Sequence, residues 1–491
     1  MNGEPLLVRR LPGRLTADAA MTITRLFWPG AERAGKIIER VATLDDAQVS
    51  RLLETMREDF AHLPGGLEDI FLAHYEQVGE RVKMPEPITP QRKLLIGAYF
   101  TLEYAFASAA LFNPSMTPAI DQGGVGPGSL RFVMSLRTIG EGHVSSIVFR
   151  RGVIDANGNI TMDPPGPFHE PVRRAEYHQF SKARFRVKLA GMGVREEVMK
   201  TVLARLGDQF TAEDLLEVVR GPQAVVDGLL RDSPQAPGFE WLAGCDYDIE
   251  TAPDGDITDM VLFPVSEAES QGMEDMRLVR FTDNGSVRYY GTYNAFNGRQ
   301  LLPQIIEMPG LNVARVRTLH GRCARNKGLA LFPRKVHGHY MMSGRIDGEN
   351  LYILKSDNVL VWDEAVKVQE PEFPWEFVQV GNCGSPLETE AGWLLLTHGV
   401  GSMRRYCIGA TLMDLDDPTK VIGRLDQPLL MPTDDERRGY VPNVVYSCGG
   451  LIHNRILVIP YGISDAATGF ATVSLDDLLA RLVGSAARRG E

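Results

Sequence analysis

Arg137, Glu141 and His143, then Tyr293, Asn294 and Asn297, then Arg345 and Asp347, then His398 and Arg404, and last Tyr461 and Asp465 fall at equivalent points of a recurring pattern. Each group lies at the short polar loop between two apolar, strand-like runs. Arg, His, Asp, Asn and Tyr gathered together suit a sugar or a phosphate ligand. Sugar hydroxyls both donate and accept hydrogen bonds, and phosphate oxygens demand cations. For these side chains to act together, the loops that carry them must open at one place in the fold.

The pattern recurs over 129 to 152, 286 to 308, 338 to 358, 392 to 415 and 454 to 475. One two-strand unit repeated at such intervals is the mark of a propeller, whose blades bury their faces only against their neighbours. The expectation is therefore a mainly β chain built on a five-bladed β-propeller, with the polar loops converging at one end of the central channel.

Other segments have a different period. Residues 16 to about 112 read as helical: TLDDAQVSRLLETMREDFAHL (43 to 63) offers a cap, early acids and apolar residues at Val49, Leu52, Leu53, Met56 and Phe60. PQRKLLIGAYFTLEYAFASAALFN (90 to 113) reads as a longer, largely buried helix. The stretch 194 to 232 is helical too and sits between the first and second units, as an insertion after the first blade, because loops accept insertions at little thermodynamic cost. The expected organisation is an α-helical region over 1–111 and a propeller over 112–491. The N-terminal helices would brace the propeller or join copies of the chain into a homo-oligomer.

Composition bounds the partners. With 491 residues, 44% of them hydrophobic, the chain can bury a large core. A net charge of -11 argues against a general nucleic-acid or anionic-membrane binder, so an anionic ligand would need a local basic pocket. No run of about 18 apolar residues and no signal core appear, and a cytoplasmic location is expected. Cys245, Cys323, Cys383, Cys407 and Cys448 lack CxxC spacing and read as buried thiols; no metal site is indicated.

From roughly 110 to 485 the text resembles glycoside hydrolase family 130, the inverting β-mannoside phosphorylases and related β-mannosidases. FNPS (112 to 115), SLRTIGEGHVSSIVFRRG (135 to 152), MEDMR (273 to 277), YNAFNG (293 to 298), RNKGLALFPRK (325 to 335), GNCGSPLETEAGWLLLTHGV (381 to 400), GYVPNVVYSCG (439 to 449) and YGISDAATGFATVSLDDLL (461 to 479) carry the likeness. The resemblance implies a five-bladed propeller and an enzyme acting on β-mannosidic bonds. It needs no cofactor, with inorganic phosphate as co-substrate. It implies Asn113, Ser115, Arg137, Asp275 and Asp465 on the mannosyl ring, and Arg325, Asn326, Lys327 and Arg345 on phosphate. His143 and Tyr461 are further candidates for contact with an oligosaccharide or small sugar.

Two positions depart from the family's text. Where it usually has Tyr-Thr-Ala-Tyr-Asp-Gly, with the Asp as catalytic acid, this chain has Asn297, and an amide has no ionisable proton to give. Asp275 is the expected substitute. Where phosphorylases often carry a phosphate-binding Lys, this chain has Glu388, which would repel phosphate but could serve as a base for water. The expectations are phosphorolysis to mannose 1-phosphate, hydrolysis through Glu388, or a propeller that binds or transfers mannosyl groups after losing the acid.

Overall fold

The computed structural model describes residues 6–63, 66–165, 170–171, 173–174, 179–221, 236–250, 256–309 and 313–489. All five repeated units are antiparallel β-hairpins: Leu130–Ile139 with Ser145–Ile154, Ser286–Phe296 with Leu301–Met308, Tyr340–Arg345 with Leu351–Ser356, Gly392–Val400 with Tyr406–Met413, and Ile456–Ile463 with Ala467–Ser474. They form the second and third strands of blades I to V. The innermost strand is the one before each hairpin: Ala110–Pro118, Gly272–Asp283, Lys327–Leu331, Gln379–Asn382 continued by Leu387–Thr389, and Val445–Tyr446 continued by Leu451–His453. The hairpin loops therefore open beside the beginnings of the innermost strands.

Apolar cores fill every seam between neighbouring blades, which closes the ring. Val133 and Phe149 of blade I meet Met276 and Leu278 of blade II, and Val279 and Phe281 on the other face of blade II meet Leu329 and Met342 of blade III. Phe332 and Met341 meet Trp393 and Leu395, Leu394 and Leu396 meet Leu457 and Ile459, and Val458 and Phe470 return to Phe132 and Met134 of blade I. Strand residues that alternate between two apolar faces are what such a stack requires.

The ring is clasped by the start of the chain. Arg9–Arg10 pairs with Thr472 and Ala471 as the outer strand of blade V, and Arg10 donates to both carboxylate oxygens of Glu436 at 3.0 Å. Residues of the expected helical region thus complete the propeller.

The helical reading of the first region holds for Ala31–Ala42, Asp46–Asp59, Leu67–Gly79 and Pro90–Tyr99. Asp45 caps the second helix in a reciprocal box with Gln48, and Val49 and Leu53 are buried in a core shared with Ile38, Phe71 and Leu95. The segment from 90 to 113 is not one helix. It stops at Tyr99, and Thr101–Ala105 pairs with Thr22–Leu26 before Ala110–Pro118 opens blade I. TLEYA puts a β-branched and an aromatic residue into a short run that pairs with TITRL, and cross-strand packing outweighs helical propensity.

The helical insertion is also larger than its expected bounds. It comprises Lys182–Gly191, Glu196–Leu203, Ala212–Arg220 and Ala236–Cys245 around a core that includes Leu189, Val198, Leu215 and Phe239. Of the expected 194 to 232, residues 222–232 lie outside the described residues. No helix among the described residues is long and apolar enough to cross a membrane, and all five cysteines are free and buried.

Candidate active site

At the end of the ring where the innermost strands begin, Glu274 and Asp275 of MEDMR turn to the same side. Simple strand alternation would send them apart. The register slips between Glu274 and Arg277, and Asp275 takes a φ of 53°, so the bulge brings both carboxylates onto Arg137 of blade I. Arg137 donates from one terminal nitrogen to Glu274 Oε1 at 2.9 Å and from the other to Asp275 Oδ1 at 3.2 Å. Neither carboxylate pairs with the neighbouring Arg277. Arg277 is buried and donates to the backbone oxygen of Asp275 at 2.8 Å and to the Tyr446 hydroxyl at 2.7 Å.

Glu274 and Asp275 then divide their partners. Glu274 Oε2 accepts from Lys327 Nζ at 2.7 Å, while Asp275 Oδ1 accepts from Asn113 Nδ2 at 2.8 Å. Burial alone would raise the Asp275 pKa. The charges of Arg137, Lys327 and Arg277, with the Asn113 amide, overcome it and hold the group at about 2. Asp275 is therefore a fixed carboxylate, able to accept from sugar hydroxyls and unsuited to giving up a proton, the role expected of it from the sequence.

Asp465 has the opposite character. It sits in the blade V hairpin loop at φ 52°, and burial, reinforced by the charge on Asp275, pushes its carboxyl up to about 6 against the pull of Arg137, Arg404 and Lys327. Two carboxyl groups with pKa values driven apart in one site can take different roles, one a permanent acceptor and one a proton carrier near neutrality.

Arg345 ends the second strand of blade III and is the cross-strand partner of Lys327. It donates to Nε2 of His398 at 3.1 Å. His398 Nδ1 lies 3.1 Å from the Asn382 carbonyl oxygen, which can only accept, so Nδ1 carries the proton and Nε2 offers its lone pair to Arg345. Burial, then the charges of Arg345 and Arg277, push the His398 pKa well below its ordinary value and keep the ring neutral. Gly381 makes room for it: a Cβ there would lie 2.7 Å from His398 Cε1. No carboxylate among the described residues lies within ion-pairing distance of Arg345. Asp347, the nearest acidic residue in the sequence, accepts from Asn350, Glu349 and Tyr352 within its own turn.

Non-glycine residues with left-handed backbone crowd this end of the ring: Asn113, His143, Asp275, Asn326, Met403, Arg404, Ser464 and Asp465. Each carries a local strain that the surrounding structure must hold, the kind of strain that gathers at functional sites. The side-chain oxygen of Asn326 also accepts from the backbone N–H of its neighbour Lys327 at 2.9 Å. Arg325 is exposed beside it. His143 is exposed and stacks on Tyr440, with ring centroids 6.2 Å apart.

Several sequence candidates stand elsewhere. Ser115 is fully buried, and its hydroxyl accepts from Leu278 N at 2.9 Å, stitching blade I to blade II. Tyr461 is buried in the seam of blades IV and V and donates to Glu436 at 2.6 Å; Tyr293 likewise donates to Glu269 at 2.8 Å. Neither phenol faces the channel. The Asn297 carbonyl oxygen caps its own turn, accepting from Arg299 N at 3.0 Å and Gln300 N at 2.8 Å. Glu388 lies at the opposite end of the ring, held by Arg334 through two hydrogen bonds of 2.5 and 2.8 Å, and is not brought to the cluster as a base. Conversely, the sequence reading missed the bridging role of Glu274 and the contact of Arg277 with Tyr446. It placed His398 in the ring of loops without a role.

Residues 256–483 match a family model described as β-1,4-mannooligosaccharide phosphorylase. The chain is 32% identical to a 1,2-β-oligomannan phosphorylase of Thermoanaerobacter sp. (strain X514) over 215 residues, 43% of this chain and 72% of the relative. It is 35% identical over 209 residues to a β-1,2-mannobiose phosphorylase of the same organism, 42% of this chain and 68% of the relative. Among solved structures, a β-1,2-mannobiose phosphorylase from Listeria innocua in complex with β-1,2-mannobiose aligns with a TM-score of 0.43 and 19% identity, covering 77% of this chain and 93% of that one.

Proposed function

Because the chain belongs to glycoside hydrolase family 130, we propose that it is an enzyme that cleaves a β-mannosidic bond by passing the mannosyl group to inorganic phosphate. The bond between the mannosyl C1 and the leaving oxygen breaks, and a phosphate oxygen bonds to C1 from the opposite face. A carboxyl proton passes to the leaving oxygen. The products are mannose 1-phosphate and a shortened sugar.

The observation that carries this reading is Arg345, a guanidinium oriented by a neutral histidine and lacking a described carboxylate partner. A planar fork so placed is suited to phosphate oxygens. Asn326 and Arg325 would add polar and cationic contacts beside it. Lys327, bound to Glu274, would tie the phosphate side to the sugar side. Asn113, Arg137 and Asp275 would hold the mannosyl hydroxyls.

For the proton we infer Asp465, since its carboxyl keeps a proton to about pH 6 in a site where Asp275 is fixed as a carboxylate. The test is incubation with β-1,2- and β-1,4-linked manno-oligosaccharides, with and without inorganic phosphate. Mannose 1-phosphate formed only with phosphate supports the reading, and free mannose formed regardless of phosphate overturns it.

A further inference from the structure

A cavity of about 310 Å³ lies at the opposite end of the ring, and every blade contributes to its wall: Thr117 from blade I, Arg280 from blade II, Pro333 after the innermost strand of blade III, Ser385 from blade IV and Ile452 from blade V. It is the far mouth of the central channel. Ser115, which binds the backbone of Leu278, lies one residue along the strand from the cavity's Met116 and two from Asn113 of the other site. The two chambers therefore share the innermost strand of blade I and open at opposite ends.

The wall is largely apolar, and its charges are unequally matched. Arg334 is taken by Glu388 at the rim, where both side chains are partly exposed. The backbone N–H of Arg280 donates to Thr117 Oγ1 at 3.0 Å, but its guanidinium makes no hydrogen bond or ion pair with a described residue, and Nε is buried. The Ser385 hydroxyl is also buried without a partner. Arg280 as a whole is half-buried, so the shielded groups are its Nε and the Ser385 hydroxyl; leaving buried donors without acceptors is costly, and an acceptor that met both would remove the cost.

The geometry points to a second ligand site here, for a small organic anion. Its carboxylate or phosphate would meet Arg280 and Ser385, and its apolar body would lie along the channel wall. A cavity of this size stands at the lower end of the range for small-molecule sites and suits a ligand of roughly ten to fifteen non-hydrogen atoms. This site is independent of the chemistry at the other end of the ring.

The full chain titrated calorimetrically with phenylacetate, phenyl phosphate and uncharged phenylacetamide tests the proposal, and the stronger of the two anions identifies the head group. Binding of an anion is expected, at least about tenfold tighter than the amide, as the gain from a charge-assisted contact. With the other site disabled by Arg345→Gln, binding should persist; adding Arg280→Gln should abolish it, and adding Arg280→Lys should weaken it. Ile452→Trp fills the cavity without touching its charge and should block the anion even if Arg280→Gln does not fold. The proposal is overturned by failure of both anions to bind the Arg345→Gln protein, or by binding to that protein that survives Arg280→Gln or Ile452→Trp.

Discussion

Arg345 and His398 form a cation–acceptor pair 3.1 Å apart in which the histidine is the neutral member. A carboxylate in its place would orient the guanidinium equally well but cancel its charge; imidazole orients it and leaves the charge available. Arg345→Ala should lower phosphorolysis by about 10²- to 10³-fold, the scale for removing a preorganised charge donor. Arg345→Lys should not restore it, because an ammonium cannot reproduce the planar fork. His398→Ala should raise the KM for phosphate more than it lowers kcat, and initial rates at varied phosphate separate the two effects.

Asp465 gives a pH signature. Activity that needs its proton should fall as pH rises through about 6, and Asp465→Asn should remove that limb of the kcat/KM profile together with most of the rate.

The same group makes a prediction about stability, with a definite sign. The folded-state pKa of Asp465, about 6, lies above the ordinary aspartate value of 3.8, so the folded form binds the proton more tightly than the unfolded form. The stabilisation is complete below about pH 4 and is lost as pH rises toward 6 and beyond. Asp465→Asn should therefore make the protein more stable at pH 7, by roughly 2 to 3 kcal/mol at most, measured by urea unfolding.

Asp275→Ala should do the opposite. It removes a carboxylate from the buried arrangement with Arg137, leaving Glu274 to serve both Arg137 and Lys327, and should cost about 3 to 5 kcal/mol in the same unfolding experiment.

Asn297→Asp should fold normally. The turn uses only the side-chain oxygen that accepts from Arg299 and Gln300, and a carboxylate supplies the same acceptor. With proton transfer at Asp465, the substitution should leave the melting temperature and the rate of phosphorolysis unchanged, whereas a gain of about tenfold or more, within the range for a positioned general acid, would move the acid to position 297.

The architecture was legible because the hairpin repeats itself: five units with the same apolar–polar–apolar rhythm became five blades. The stretch from 90 to 113 was misread because its apolar residues fit a helix and a strand pair equally well, and the pairing of Thr101–Ala105 with Thr22–Leu26 lies far off in sequence. The site was legible where a loop residue is polar and has no local partner, as with Arg137 and Arg345. It was illegible where a side chain's direction is set by a bulge, as at Glu274 and Asp275, or where a phenol finds a distant carboxylate, as Tyr461 finds Glu436. Asn297 and Glu388 were placed by the family motifs they interrupt, and a motif does not say which way a turn or a strand end points.

The clasp of Arg9–Arg10 onto Ala471 and Thr472 has a consequence for biosynthesis. On the ribosome this strand emerges hundreds of residues before its partner and must wait for it. Until then blade V lacks its outer strand and the nascent ring stands open. Closing so long a loop costs only slowly growing entropy, yet the search is slow and exposes unpaired strand edges meanwhile. Deleting residues 6 to 15 should therefore harm the yield of folded protein well before it harms the chemistry of any molecule that completes the ring.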